Sequence, residues 1–184
     1  MVGGNIILAR RSFVLKHGGE AAWDRVLLQL PAEDAQKLRR TLLVTQGYPL
    51  ELNLRLDQAI AKELYPREPD RAFLEMGRAS AEVNLSGTQK GFVRPGDPHY
   101  LLSFAESIYA YYYGEGRRTY RKTGPGSAVL TTYDAPPATP GDCLTVVGWH
   151  QRAIELSGGT NARVSETKCR SRGNEVCEYQ CSWE

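Results

Sequence analysis

The sequence has no long apolar run. No stretch approaches the roughly 20 consecutive apolar residues of a transmembrane helix, and the start, MVGGNIILARRSFVLKHGG, contains only a short apolar run at residues 6–9. No small-residue cleavage site of a signal peptide follows that run. We therefore expect a cytoplasmic protein without a membrane span, in a compartment that keeps thiols reduced.

The chain also has little net charge. Its 23 Lys and Arg residues against 21 Asp and Glu residues give +2 over 184 residues, whereas a nucleic-acid-binding domain usually presents a strongly basic face. Nucleic acid is therefore not expected as a partner. The sequence has no P-loop or dinucleotide-binding fingerprint and no readable Ser/His/Asp arrangement, so an enzyme is the least supported class of function.

Helical periodicity dominates residues 1–114, and the pattern changes to that of β-strands after Gly114. Asp97 and Thr139 each precede a proline, which is typical of a capped helix start. The order after Gly114 is a hairpin around GPG (124–126), a helix from Pro140 and a second hairpin. We predict a single α+β domain over residues 1–184, in which the mainly helical part (1–114) packs on a mostly antiparallel sheet of about four strands within 115–184.

Cysteine is scarce and unevenly placed: three of the four cysteines lie in the last 20 residues, SETKCRSRGNEVCEYQCSWE. Cys177 and Cys181 fall on one face of the final strand, and a turn around Gly173 would bring Cys169 close to Cys177. Cys143 lies in the first turn of the helix from Pro140, where the helix dipole favours a thiolate. These positions predict that at least three cysteines approach one another.

Glu166 joins this group because it alternates with Ala162 and Val164 on the inward face of a strand. A carboxylate buried without a partner costs several kcal/mol, so such a group must be protonated, paired or bound to a metal. Three sulfurs and one carboxylate oxygen are sufficient for a closed tetrahedral zinc site. Ordinary buried cysteines and redox chemistry remain the alternatives, and Cys181 is interpreted as a buried apolar side chain beside the site.

The segment DCLTVVGWHQRAIELSGG, together with the tail VSETKCRSRGNEVCEYQCSW, resembles the 4-vinyl-reductase domain, a small-molecule-binding domain of regulators of aromatic catabolism. In the phenol-responsive members of that family, zinc is bound by Cys, Glu, Cys and Cys. The spacings of 23, 3 and 8 residues between those ligands recur here. The resemblance implies zinc as a cofactor, with these ligands: Cys143, Glu166, Cys169 and Cys177.

The remainder of the chain, including RRSFVLKHGGEAAW and YYYGEGRRTY, resembles an uncharacterised protein family found in myxobacteria. The wider superfamily includes haem-based nitric oxide sensors and TRAPP vesicle-tethering subunits, which use an interior pocket and often dimerise. This implies a homodimer whose output passes through an unknown protein partner. The Tyr-x-Ser-x-Arg motif by which the haem sensors hold propionates is absent, so haem is not expected.

These patterns favour a zinc-stabilised sensor or adaptor domain that binds a small apolar or aromatic molecule between helices and sheet, without catalytic activity of its own. A protein-interaction module of the TRAPP-subunit type is the alternative, and an internal cavity of a few hundred Å³ would distinguish the two. Core packing is the competing interpretation for each candidate ligand-binding residue. Those residues are Phe104, Ile108, Tyr112 and His150.

A basic run follows the helical part at Arg117, Arg118, Arg121 and Lys122. On a strand, Arg117, Thr119 and Arg121 share one face. A solvated strand edge that discourages aggregation explains such a run, and a surface for an anionic ligand or partner is the alternative. The sequence leaves both open.

Overall fold

The computed structural model describes residues 1–136 and 138–184. Within them the chain forms seven α-helices and six strands, in the α+β arrangement that the sequence predicts. The helices are α1 (Gly4–Leu28, kinked at Gly19), α2 (Ala32–Arg39), α3 (Leu50–Leu64), α4 (Pro69–Ser86), α5 (Pro98–Ser103), α6 (Ala105–Tyr112) and α7 (Pro140–Leu156). The strands are β1 (Val2–Gly3), β2 (Gly47–Tyr48), β3 (Arg117–Gly124), β4 (Ser127–Tyr133), β5 (Arg163–Lys168) and β6 (Cys177–Ser182).

The main sheet has four antiparallel strands, as predicted, and their order is β3-β4-β6-β5. Strands β3 and β4 form the hairpin around GPG, and β5 and β6 form the second hairpin. Side chains of β6 alternate between the core and solvent, so that Cys177, Tyr179 and Cys181 are buried whereas Gln180 and Ser182 are exposed. The two-residue strands β1 and β2 pair with each other in a separate sheet. They are too short to show a hydrophobic period in the sequence, so the sequence does not predict them.

Helices α4 and α7 pack against each other at two glycines. A Cβ atom on Gly77 would collide with the carbonyl oxygen of Thr145, and one on Gly148 would collide with that of Leu74. The absence of a side chain at these glycines therefore allows the two helix backbones to come into contact. This crossing fixes α7 between the helical layer and the sheet.

The stretch after Asp97 differs from the single helix that the sequence predicts. Asp97 does cap α5, because its carboxylate accepts a hydrogen bond from the Tyr100 amide at 3.0 Å. The helix then breaks at Phe104 (φ −91°, ψ 17°) and restarts as α6. The break turns Phe104 toward Phe92 and Tyr100, whose rings lie 5.0 and 5.1 Å away.

The helical layer contains a buried ion pair that the sequence analysis missed. Arg10 of α1 donates to both carboxylate oxygens of Asp57 of α3, at 2.6 and 3.1 Å, and both side chains are under 5% exposed. Burial of a charge is tolerated when the partner is this close and bidentate. Among the described residues, no helix has the length and apolar character needed to cross a bilayer.

Candidate functional site

Four potential metal ligands converge where the start of α7 meets the β5–β6 hairpin. One ligand atom from each of them lies within 4.8 Å of all the others, and the Sγ atoms of Cys143 and Cys169 are 3.5 Å apart. Metal–thiolate bonds of about 2.3 Å put two sulfurs of a tetrahedral site about 3.8 Å apart. The cluster therefore has the dimensions of a site for one ion. Its members are Cys143, Glu166, Cys169 and Cys177.

Local structure explains how each member is positioned. The Thr139 hydroxyl accepts a hydrogen bond from the Asp142 amide at 3.2 Å and so caps α7. Because α7 begins at Pro140, Cys143 lies in its first turn. Between the hairpin strands, Gly173 adopts the left-handed conformation (φ 89°) that favours glycine. This turn folds Cys169 back on Cys177, whose sulfur accepts the Arg170 amide at 3.3 Å.

The cluster favours a thiolate at one position. The neighbouring Cys143 thiol, helped by the Arg170 amide, lowers the pKa of Cys177 despite burial. Contact with Cys177, together with burial, raises the pKa of Cys143. A metal ion bound here would deprotonate both sulfurs. Cys181 lies outside the cluster, and burial raises its pKa to about 12.

Glu166 is the least satisfied member. Its Oε1 atom is buried without a hydrogen-bond partner among the described residues. Its Oε2 atom lies 3.8 Å from the guanidinium of Arg172, which is 60% exposed and therefore a weak partner. The burial of Oε1 is therefore not offset by a hydrogen bond, and the pairing of Oε2 with Arg172 offsets little of its cost.

Two cavities of about 40 Å³ each lie in this part of the molecule, and one of them adjoins the cluster. The helix-side cavity lies among α1, α4, α6, β3 and α7. The sheet-side cavity reaches the cysteine cluster. They share four lining residues, which are Tyr109, Tyr113, Arg118 and Val146. Since one water needs roughly 10–15 Å³ of such volume, each cavity has room for a few water-sized groups.

Aromatic side chains in mutual contact form one wall of the helix-side cavity. Trp149 donates its indole N–H to the Tyr112 hydroxyl at 3.0 Å, and Tyr112 donates to Gln89 at 3.1 Å. His150 bonds through Nδ1 to the Val146 carbonyl at 2.8 Å. Burial, with Arg118 nearby, lowers the pKa of His150 to about 3, so the ring is neutral and its Nε2 is an acceptor.

Arg118 separates the two cavities. It is 6% exposed, and its Nε donates to the Thr132 hydroxyl at 2.8 Å, while Nη1 lies 3.5 Å from Nε2 of His150. Its guanidinium also lies over the rings of Tyr109 and Tyr179, at 4.9 and 5.6 Å from the centroids. No carboxylate among the described residues forms a salt bridge with it.

The structure brings together most of the residues that the sequence singles out. The four cluster residues meet, and Ile108, Tyr112 and His150 line the helix-side cavity. Phe104 does not line this cavity, because the helix break turns its ring toward Phe92 and Tyr100. Sequence reasoning missed Arg10 and left open whether the basic run that contains Arg118 is a solvated edge or a surface for an anion. The alternation of a strand places Arg118 on the face opposite Arg117.

Comparison with known proteins identifies the fold. Solved structures of H-NOX proteins match the chain from end to end: one from Shewanella oneidensis in the Fe(II)NO state has a TM-score of 0.71 at 14% identity, covering 99% of both chains. The unliganded Fe(II) protein of K. algicida has a TM-score of 0.70 at 12% identity, covering 99% of this chain and 96% of that one. No protein-family model and no curated protein sequence matches the chain.

A third structural neighbour corrects the cofactor prediction. A structure concerned with haem redox potential and porphyrin distortion has a TM-score of 0.72 at 10% identity, covering 98% of this chain and 99% of that one. These neighbours contain haem or Fe(II), so the prediction of zinc as the cofactor, which depended on a different family resemblance, is wrong. These structures confirm the α+β fold that the sequence predicts.

The residues of this chain do not fit haem. A cavity of about 40 Å³ is far too small for a porphyrin. His150, the histidine that lines it, is turned to the Val146 carbonyl and to Arg118 rather than to open space where an axial ligand would bind iron. The described residues therefore have the H-NOX fold, but they do not form a haem cradle.

Proposed function

We propose that this chain is a non-catalytic sensor domain that binds a small molecule in its interior cavities and passes the signal to a protein partner. The observation that carries the proposal is the pair of cavities that α7 lines, which share Arg118 and three other lining residues. Interior sites with a few convergent polar groups are typical of ligand-binding domains. The likeness of fold to H-NOX proteins supports the same class.

The size of the cavities limits the ligand. Two spaces of about 40 Å³ suit a molecule of a few heavy atoms. An apolar or aromatic ligand of the size first expected would have to part Trp149 from Tyr112 and break their hydrogen bond. We therefore place the smaller ligand first and keep the aromatic one as a case that requires movement of these two side chains.

A protein-interaction module is the second candidate, and one observation favours it. The cavities are much smaller than the few hundred Å³ expected of a domain built around a drug-sized ligand. A scaffold fills its interior with side chains, as Tyr112 and Trp149 do here. In either case we propose one functional domain over residues 1–184 that acts as a homodimer.

We further propose that the cysteine cluster is a metal centre of unassigned ion. Three sulfurs, one unpaired carboxylate oxygen and mutual distances under 4.8 Å support it, and thiolates favour soft metal ions. An ion bound there would join the first turn of α7 to the β5–β6 hairpin. Because α7 also lines both cavities, the centre would stabilise the wall of the ligand site.

Native mass spectrometry of freshly purified protein, compared with its denatured mass, tests the sensor proposal. We expect a small-molecule mass that disappears on denaturation, since a ligand held in the interior survives gentle transfer. A dimer that carries no small molecule, and whose melting temperature no small molecule shifts, would contradict the sensor and favour the interaction module. Metal content is read from the same spectra.

Cobalt(II) titration of metal-depleted protein tests the centre separately. We expect one equivalent to produce the intense absorption of thiolate-to-cobalt charge transfer and to raise the melting temperature. Cys169→Ser should abolish that absorption, whereas Cys181→Ala, which removes a buried thiol outside the cluster, should retain it. Equal loss in both variants, or no absorption in either protein, would contradict the assignment.

A further inference from the structure

Two hydrogen-bond donors at the helix-side cavity lack acceptors. Nη2 of Arg118 makes no hydrogen bond to a residue that the structure describes, because the bonds of this side chain run from Nε and Nη1. The hydroxyl of Tyr113, whose ring stacks on Tyr109 at 4.9 Å, likewise has no partner among those residues. Neither atom is among the fully enclosed side-chain atoms without a partner, so both donors are open to an acceptor that enters the cavity.

The charges around the helix-side cavity are unbalanced. Among its lining residues are two buried guanidinium groups, Arg10 and Arg118, and none of them is an aspartate or glutamate. Arg10 is compensated by Asp57 at 2.6 Å. Arg118 has no such partner, and a buried charge without a counter-charge is costly. The lining of the cavity is therefore positively charged, and Arg118 carries the charge that no carboxylate of the lining offsets.

Acidic groups do lie nearby, but on the other side of Arg118. Asp142, Cys143 and Cys177 line the sheet-side cavity and not the helix-side one. Asp142 forms no hydrogen bond with Arg118, and its Oδ1 is buried without a partner among the described residues. An anion would meet these groups in the sheet-side cavity, so the helix-side cavity is the favourable place for it.

We propose that the helix-side cavity binds a small monoanion, such as a short carboxylate or an inorganic oxyanion of similar size, which accepts hydrogen bonds from Nη2 of Arg118 and the hydroxyl of Tyr113. This inference deepens the proposed function by naming the ligand class, and it rests on that function. The size of the cavity, about 40 Å³, selects an anion of a few heavy atoms. The aromatic wall at Trp149 and Tyr112 would exclude bulk water from the ion pair.

Sodium acetate is the probe, and acetamide is its neutral counterpart of the same shape. In a constant salt background, we expect acetate to raise the melting temperature saturably and to shift the indole N–H resonance of Trp149, while acetamide does neither at the same concentration. Tyr113→Phe should weaken acetate binding roughly tenfold, because a hydrogen bond to a charged group is lost. Arg118→Met should abolish binding, and Arg118→Lys should restore part of it.

The outcomes separate this inference from the proposed function. If acetamide binds as well as acetate, or if Tyr113→Phe and Arg118→Met bind acetate like the parent protein, the anion site is overturned while an interior ligand site stands. If acetate has no effect and native mass spectra show a neutral bound molecule, the inference fails alone. If neither probe binds and no molecule copurifies, both fail. Should Arg118→Met not fold, Tyr113→Phe with acetate and acetamide decides the matter.

Discussion

The cysteine cluster and the helix-side cavity are both buried, and they have opposite electrostatic surpluses. The cluster combines Cys177, whose pKa is lowered, with a Glu166 carboxylate whose Oε1 has no hydrogen-bond partner among the described residues, whereas the cavity has the guanidinium of Arg118, which forms no salt bridge with those residues. Each therefore attracts the kind of ligand that the other repels. The comparison teaches that the proposed metal centre and the proposed anion site would use opposite charges at separate places in one fold.

The largest expected effect on stability concerns Arg10, in the lining of the helix-side cavity. Asp57→Ala leaves Arg10 buried without its partner, so we expect the free energy of unfolding to fall by about 3–5 kcal/mol. Chemical denaturation measures this change. The matched control is Glu63→Ala, which removes the partner of Arg25, a residue 56% exposed. That surface pair should contribute less than about 1 kcal/mol.

Equal losses from Asp57→Ala and Glu63→Ala would show that burial does not distinguish the two pairs. In that case the positive field of the cavity would be screened by solvent, and the contrast with the cysteine cluster would weaken. A loss confined to Asp57→Ala would show that the wall around Arg10 is dry. A dry wall is the condition under which Arg118 also needs a counter-charge.

The next largest effect is a loss of folding stability in acid, which we attribute to His150 in the lining of the helix-side cavity. The pKa of His150 is lowered from 6.5 to about 3 in the folded protein, so below pH 6.5 the unfolded chain binds a proton that the folded chain does not. Stability is therefore lost as the pH falls from 6.5 toward 3, and the loss at pH 5 is about 2 kcal/mol. Denaturation at several pH values measures it.

His150→Gln is the control for this pH dependence, because glutamine does not titrate. Between pH 7 and pH 5, the parent should lose about 2 kcal/mol of unfolding free energy relative to the variant. A difference that stays constant over this range would mean that the imidazole is solvated and that the cavity is open to water. The anion site would then lose the low dielectric that strengthens it.

The two regions also differ in how far the sequence predicts them. Cys143, Cys169 and Cys177 are fixed by a helix start, a strand end and one turn, all local features that spacing reveals. Arg10 and Asp57 meet across 47 residues of sequence, and no local pattern specifies that pairing. Arg118 lies between these cases: strand alternation turns it inward, yet the surrounding basic run suggests a solvated edge. Phe104 was misplaced because a helix break depends on what packs around it.

The smallest expected effect on stability concerns the cysteine cluster, and its sign depends on whether metal is bound. Without metal, Glu166→Gln removes a buried negative charge whose Oε1 has no partner, so we expect the metal-depleted protein to gain about 1 kcal/mol. With saturating cobalt(II), the parent gains binding free energy that the variant lacks, and the order of stability should reverse. Thermal unfolding of both proteins with and without cobalt measures this.

If the variant were the more stable in both conditions, Glu166 would be an ordinary strained core residue. A reversal would instead identify its carboxylate as a ligand that lowers the stability of the empty site.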